Sequence, residues 1–242
     1  MSASEDLFQF LSQKDRFIPQ LSIDSVIFGF HDNQLKILLL KMKGMKLWAL
    51  PGGYVEQHED IDGAALHILE NRTGLSDIYL EQFRVFGKAD RTTKESMQLF
   101  LEANKVEMGE FQWMMKRFVS IGYYALVDFS KVTPTPDHFT ESCEWFEVKN
   151  LPKLAFDHYE IIQKALESLR LNLDSKLIGS NLLPETFTMN DLQSLYETIL
   201  GTPLRRNNFQ RKVLSLNILE RIEKLYTGAA NKAPYLYKFK KA

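Results

Sequence analysis

A pair of glycines followed by a regularly spaced polar segment is the part of this sequence that could carry chemistry. Gly53 precedes Glu59 by six positions, and after a fixed gap a segment runs from His67 through Gly74 to Leu75. When a helix in such a segment carries carboxylates one turn apart on one face, it can hold divalent cations that polarise a diphosphate and activate water. The spacing therefore poses the question of whether this chain hydrolyses diphosphates.

The helix lacks the carboxylates that this chemistry requires. The metal-binding places hold Ile68, Asn71 and Arg72. Asn71 offers only a weak neutral ligand, and Arg72 puts a permanent positive charge where a cation would bind. Glu70 points to another side of the helix, and the carboxylates left in the preceding loop make a poor magnesium cage by themselves. We therefore expect no catalytic residue, no metal and no cofactor here.

Hydrophobic periodicity predicts the elements that position this segment. Apolar runs at 21–30 and 35–41 flank a turn and predict a hairpin whose second strand is covered on both faces. Asp62 is the predicted N-cap of a helix ending at Gly74, a suitable left-handed residue. The remaining predicted elements are strands at 79–84, 118–129 and 143–148 and a helix at 158–171. Interspersed strands and helices predict an α/β fold with a mixed sheet between helices.

Polar and aromatic residues near the strand ends are candidates for lining a small-molecule pocket. A domain that keeps such a pocket without its catalyst is suited to sensing a ligand. The candidates are Asp24, Lys41, Trp48, Asp90 and Arg91, each of them equally suited to a surface position or a structural hydrogen bond. The methionines and aromatic residues of segment 92–117 either cap this pocket, form a dimer contact or pack on their own domain.

The C-terminal region is basic and has the pattern of a DNA-binding domain. From residue 180 onward it carries ten Lys and Arg against five Asp and Glu, whereas the first 179 residues carry twenty against twenty-six. Thr188 to Asp191 is an acidic variant of a capping box and predicts a helix that ends at Gly201. After a tight turn, a second helix is predicted at 205–216, and two helices joined this closely are typical of a helix-turn-helix.

The second helix has an apolar face and a basic face. Phe209, Val213 and Leu216 recur at helical spacing and are expected in the core. Segments 218–225 and 235–239 predict a wing whose loop brings Lys232 to a phosphate. The side chains predicted to contact DNA are Arg205, Arg206, Asn207, Asn208, Gln210, Arg211, Lys212 and Lys232. A small helical cap with a solvated basic face is the alternative interpretation.

Composition excludes several protein classes. The chain has 242 residues, which favours two unequal domains, expected at 1–172 and 184–242 with a linker at 173–183. It lacks the run of about 18 apolar residues that a membrane span needs, and its N-terminus lacks a signal-peptide pattern, so we expect a cytoplasmic protein without membrane contact. Cys143 is the single cysteine, so no internal disulfide or thiolate metal cluster can form.

Taken together, the two halves resemble the Nudix-related transcriptional regulators, which include repressors of NAD metabolism and of arabinose utilisation. Without a gap, the frame Gly53, Glu59, His67, Ile68, Asn71, Arg72 and Gly74 fits the Nudix box. The likeness also rests on the first strand, on Ala155 to His158, on Asn181 to Pro184 and on Asn208 to Val213. An unrelated α/β domain whose glycines are ordinary loop and cap residues remains the alternative.

The resemblance implies a fold and a function. The fold is a Nudix-type α/β/α sandwich followed by a winged helix-turn-helix domain, and the implied partners are operator DNA, a small-molecule effector and a second copy of the chain. The first strand and the Asn-Leu-Leu-Pro segment favour the sugar-responsive branch, so we expect a repressor of carbohydrate catabolism with a pentose such as arabinose as effector. The alternatives are an ADP-ribose-responsive regulator of NAD metabolism, an active Nudix hydrolase and a protein whose basic tail binds acidic partners.

Overall fold

A seven-stranded mixed sheet forms the centre of the N-terminal part of the protein. The computed structural model describes residues 9–10, 12–76, 78–91, 94–104, 112–174, 182–226 and 233–240. The strands are β1 (Phe17–His31), β2 (Gln34–Met42), β3 (Trp48–Ala49), β4 (Gly52–Glu56), β5 (Tyr79–Phe86), β6 (Val119–Val127) and β7 (Thr140–Glu147). Their order is β3-β2-β1-β6-β5, with β4 also paired to β1 and β7 to β2. Only the β1–β6 pair is parallel among these pairs.

The hairpin of β1 and β2 forms as predicted. Asp32 and Asn33 have φ values of 50° and 58°, and two consecutive left-handed residues are what a two-residue type I′ turn requires. The burial of β2 is nearly continuous from Ile37 to Leu40, which confirms a strand covered on both faces. The hairpin thus forms the middle of the sheet.

Two helices cover the two faces of the sheet. Helix α1 (Ile61–Thr73) buries Ala64, Ala65 and Leu69 against one face. Helix α3 (His158–Asn172) buries its apolar stripe against the opposite face. Between them in the chain lies a further short helix, α2 (Lys94–Ala103). The expected α/β/α sandwich with a mixed sheet is confirmed.

The start of α1 differs from the prediction, whereas its end agrees. Asp60, not Asp62, is the N-cap, and its Oδ1 accepts from the Gly63 amide at 2.6 Å. Asp62 lies in the first turn and instead accepts a short hydrogen bond from the Tyr123 hydroxyl. At the other end Gly74 has a φ of 72°, the predicted left-handed conformation.

The C-terminal part folds as a winged helix domain. Its elements are β8 (Phe187–Thr188), α4 (Met189–Leu200), α5 (Arg206–Ser215), β9 (Leu219–Lys224) and β10 (Tyr235–Phe239), and the strands pair in the order β8-β10-β9. The capping box of Thr188 and Asp191 and the left-handed Gly201 are both present. Phe209 and Val213 are buried as predicted, but the prediction for Leu216 is wrong, because this residue caps α5 and is 38% exposed.

The two parts share one apolar core, which α3 bridges. Ile161 and Leu169 of α3 belong to a single buried cluster with Leu195 and Ile199 of α4. At the tip of the hairpin, Asn33 accepts hydrogen bonds from Ser194 at 2.7 Å and from Thr198 at 3.1 Å. The expected domain limits of 1–172 and 184–242 stay predictions, because residues 175–181 lie outside the described ranges. Among the described helices, none is long and apolar enough to cross a membrane.

Candidate effector pocket and DNA-binding surface

A cavity of about 160 Å³ opens where β1, β2 and β4 meet the start of α3. Its walls are mainly apolar, and Asp24, Arg91 and His158 are among its polar lining residues. The aromatic and thioether walls come from Met42, Tyr54, Phe100, Met114, Phe118, Phe139 and Phe156. Such a mixture of apolar walls and a few convergent polar groups is typical of a small-molecule site.

Arg91 is the centre of a buried ionic network beside this cavity. Its side chain is only 4% exposed. Nε and Nη2 each donate to Asp157 at 2.9 Å, which makes a bidentate pair, and Nη2 also donates to Asp24 at 3.1 Å. The two carboxylates raise the pKa of Arg91 against the opposing effect of burial. The guanidinium therefore stays charged, and its charge is balanced inside the protein.

Asp24 is held in its ionised form. It accepts from the Ser120 hydroxyl at 2.6 Å, and its Oδ1 lies 3.5 Å from Nε2 of His158. Burial alone raises the pKa of Asp24, but His158, followed by Arg91 and Ser120, outweighs it, so the pKa lies below its usual range. Nδ1 of His158 accepts from the Leu50 amide at 2.9 Å, which leaves Nε2 as the nitrogen that donates towards Asp24.

Two of the five predicted pocket residues line the cavity, and three do not. Asp24 and Arg91 are brought together there. Lys41 lies outside because its neighbours Leu40 and Met42 line the cavity and successive side chains of a strand point to opposite faces. It pairs with Glu141 at 2.6 Å instead.

Trp48 and Asp90 are displaced from the cavity for similar local reasons. Ala49 lines the cavity, so its neighbour Trp48 faces away and packs on the Phe146 ring, with 4.6 Å between centroids. Asp90 is exposed in the turn just before Arg91. Neither side chain lines the cavity.

Sequence patterns missed several groups of the ionic network beside the cavity. Asp157, His158 and Ser120 enter the network only because the fold brings β6 and the start of α3 to β1. A signal existed for two of them, because Ala155 to His158 was one of the segments that carried the family resemblance. Segment 92–117 supplies Phe100 and Met114 to the cavity wall, which identifies packing over the pocket as one role of this segment.

The Nudix-box positions do not fit a metal site. Ile68 packs against Gly53 so closely that a β-carbon at position 53 would lie 2.9 Å from its Cδ1. His67 and Asn71 are exposed. Arg72 donates to the Pro136 carbonyl at 3.2 Å and approaches Asp137 at 3.7 Å, so its charge ties α1 to the loop before β7.

The loop carboxylates of the box are already engaged by protein groups. Glu56 forms an ion pair with Arg16, and Oε1 of Glu59 accepts from the Glu56 amide at 2.8 Å. In the part of the chain that the structure describes, no group of three or more His, Cys, Asp or Glu side chains is placed to hold a metal ion. Glu56, Glu59 and Arg72 of this region thus contact protein groups.

Five of the eight predicted DNA-binding residues are exposed at or near the start of α5, and the other three differ from them. The exposed residues are Arg205, Arg206, Asn207, Asn208 and Arg211, while Gln210 is half-buried. Lys212 is exposed but forms an ion pair with Asp174 at 2.6 Å. Lys232 lies outside the described residues. The arrangement places guanidinium and amide donors together, as contacts to phosphates and base edges require.

Comparison with protein families identifies both parts of the chain. The NUDIX domain matches residues 20–165, and the NrtR DNA-binding winged helix domain matches residues 179–239. The chain is 30% identical over 246 residues to the ADPR responsive transcriptional repressor NtrR of Acinetobacter baylyi, covering 98% of this chain and 89% of that protein. It is also 28% identical to an ADP-ribose pyrophosphatase of Methanocaldococcus jannaschii, over 60% of this chain and 72% of that enzyme.

A solved structure shows the same two-part architecture. Shewanella oneidensis NrtR complexed with a 27mer DNA superposes with a TM-score of 0.70 at 25% identity, covering 91% of this chain and 94% of that one. The match spans the sandwich and the winged helix domain together. These relatives give no support to the sugar-responsive branch.

Proposed function

Because the chain belongs to the Nudix-related transcriptional regulators that carry an NrtR-type winged helix domain, we propose that it is an ADP-ribose-responsive repressor of genes of NAD metabolism. The observation that carries this proposal is the match to the Acinetobacter baylyi repressor over nearly the full length of both proteins. The pentose effector that we favoured from sequence is replaced by the alternative, ADP-ribose. DNA complexed with the similar Shewanella oneidensis protein supports the DNA-binding part.

The chemistry of the cavity suits parts of ADP-ribose. Its aromatic side chains, among them Tyr54 and Phe118, offer flat apolar surface to an adenine ring. Asp24 and Asp137 line the cavity, and carboxylate oxygens are acceptors to which the hydroxyl groups of a ribose could donate in exchange for the present partners. These features support an effector with a base and sugars.

Fluorescence anisotropy tests this function with DNA from upstream of the gene itself. We expect specific binding that weakens steeply between 50 and 200 mM salt, because counterions are released on binding. We expect ADP-ribose to weaken it by about five- to 150-fold, the usual range of allosteric coupling. Arabinose and AMP serve as controls. An equal response to arabinose, or no response to ADP-ribose, contradicts the proposal.

We also infer that the sandwich domain binds ADP-ribose without hydrolysing it. The inference is supported by Ile68 and Arg72 in places where Nudix hydrolases need carboxylates. Incubation with ADP-ribose and magnesium, followed by chromatography of the products, should return the ligand intact. Release of AMP that Glu59→Gln abolishes would identify an active hydrolase instead.

We also propose that the protein is a homodimer. Winged helix domains that address a palindrome place two recognition helices about 34 Å apart, which needs two copies of this chain. Light scattering during size-exclusion chromatography should give twice the chain mass of 28.1 kDa. A monomer at micromolar concentration, with and without DNA, contradicts this part.

A further inference from the structure

We propose that helix α3 (His158–Asn172) transmits occupancy of the cavity to the winged helix domain, and that the Arg91–Asp157 pair is the contact the effector changes. The proposal rests on the proposed function, because it concerns how the same pocket controls DNA binding. Asp157 is then a positioning residue for α3. The proposal follows from the contacts that the two ends of α3 make.

The first end of α3 belongs to the cavity. Three successive residues carry it: Phe156 lines the cavity, Asp157 binds Arg91 bidentately at 2.9 Å, and His158 lines the cavity and faces Asp24. Phe156 has a φ of 51°, a left-handed conformation that is rare for an aromatic residue and that persists only when the surroundings enforce it. The start of α3 is therefore held in place by the groups that a ligand would contact.

The other end of α3 belongs to the DNA-binding part. Arg170 donates from Nε to the Ile199 carbonyl at 2.7 Å, next to the end of α4. The Tyr196 hydroxyl donates to the Leu173 carbonyl at 3.3 Å. One residue further, Asp174 pairs with Lys212 of α5 at 2.6 Å. A displacement of α3 thus reaches both helices of the helix-turn-helix.

The alternative route through the sheet is stiffer. Asn33 also contacts α4, but it lies at the tip of β1, which is hydrogen-bonded to β2, β4 and β6. Helix α3 itself packs on the sheet through its side chains. Just before the helix, backbone hydrogen bonds join Lys153 and Ala155 to Trp48 of β3, so the helix can pivot about this point while the strand pairing stays intact. Helix α3 is therefore the element that can shift.

The effector acts by competition at Arg91. A ligand oxygen that accepts from the guanidinium, or a hydroxyl that donates to Asp24, competes with the bonds that hold Asp157 and His158. Only a ligand that binds the two positions of α3 with different affinity can shift them. Binding at the cavity then changes the placement of α4 and α5.

Asp157→Asn tests the inference, with Glu160→Gln as its matched control. Asparagine keeps the size of the side chain but removes the charge that pairs with Arg91. Glu160 lies in the same turn, and its partner is Lys88 in an exposed ion pair of 2.6 Å. ADP-ribose binding is measured by calorimetry, and DNA affinity is measured with and without ADP-ribose. Hydrogen exchange of the α4 amides, with and without ADP-ribose, gives a readout that needs no DNA.

We expect the ADP-ribose effect on DNA affinity, about five- to 150-fold in the unchanged protein, to fall below about twofold in Asp157→Asn while ADP-ribose still binds. In Asp157→Asn, ADP-ribose should also no longer change the hydrogen exchange of the α4 amides. Glu160→Gln should keep the effect on DNA affinity and the effect on hydrogen exchange. Arg170→Ala, which alters the far end and leaves the cavity intact, should likewise bind ADP-ribose without the response.

Two results overturn the inference. The first is an undiminished ADP-ribose effect in Asp157→Asn or in Arg170→Ala. The second is loss of ADP-ribose binding in Asp157→Asn, which would make Asp157 a ligand-binding residue. If the unchanged protein shows no ADP-ribose effect, the proposed function itself fails, so the two failures are distinguishable.

Discussion

Ile68 rests on Gly53, with only 2.9 Å between its Cδ1 and the place that a β-carbon at Gly53 would occupy. An apolar contact thus joins the two halves of a motif that in hydrolases encloses a metal. In this chain, packing against Ile68 leaves little room for a side chain at position 53.

Gly53→Ala should destabilise the protein by about 0.5 to 1.5 kcal/mol, because the new methyl group forces the end of the Ile68 side chain out of its rotamer. Urea unfolding gives the change. Gly87→Ala is the control, because the nearest atom to its β-carbon would be 3.5 Å away, an ordinary contact. The cost of Gly53→Ala should shrink in an Ile68→Ala background, and equal costs in both backgrounds contradict the packing explanation.

The depressed pKa of Asp24 predicts a stability that depends on pH. A carboxylate whose pKa is lower in the folded state stabilises the fold above its unfolded pKa, about 3.9, and this contribution is lost as the pH falls towards the folded value. Asp24→Asn should therefore reduce the free energy of unfolding most at neutral pH. The difference from the unchanged protein should narrow below about pH 4. Urea unfolding from pH 7 to pH 3 measures it, and a difference that does not change with pH contradicts the assignment.

Thr188→Ala should cost about 1 kcal/mol of stability, because the hydroxyl that accepts from the Asp191 amide at the start of α4 is removed. Thermal unfolding followed by circular dichroism measures this loss. Thr202→Ala, in the exposed turn after α4, serves as the matched control and should change stability by less than about 0.5 kcal/mol. Equal effects would show that the cap is not what stabilises this helix.

Arg206→Ala should weaken DNA binding, because an exposed guanidinium near the start of α5 is lost. The slope of log affinity against log salt concentration should become shallower by about one. Lys212→Ala should have a smaller effect, since Lys212 is paired with Asp174. Arg84→Ala removes the same charge from exposed strand β5 and is the control. Anisotropy at several salt concentrations measures the slopes, and a slope unchanged by Arg206→Ala contradicts the predicted surface.

Local patterns predicted local structure well. The turn at Asp32 and Asn33, the capping box at Thr188 and the left-handed Gly74 and Gly201 each depend on a few neighbouring residues, so the sequence specifies them. The N-cap of α1 was predicted at Asp62, two positions after the observed Asp60, because either aspartate suits an N-cap. In the structure the Asp62 carboxylate accepts from the Tyr123 hydroxyl of β6, a contact between distant residues that the local sequence does not reveal.

The pocket was harder to predict because its groups come from distant parts of the chain. Arg91 meets Asp157 across 66 positions and Asp24 across 67. Polarity near a strand end selected Asp24 and Arg91, but the same criterion selected Lys41, whose strand turns it to the other face. Which face a strand residue occupies depends on tertiary packing that composition does not reveal.

The hairpin tip at Asn33 has a consequence for exchanging the winged helix domain between such regulators. Asn33 must adopt a left-handed backbone and also receive the hydroxyl groups of Ser194 and Thr198. Glycine would satisfy the backbone but could not offer the side-chain oxygen that Ser194 binds. A chimera that takes its winged helix domain from a relative therefore keeps the bond to the Asn33 side chain only if the grafted helix also brings a donor to the place of Ser194, 161 positions away.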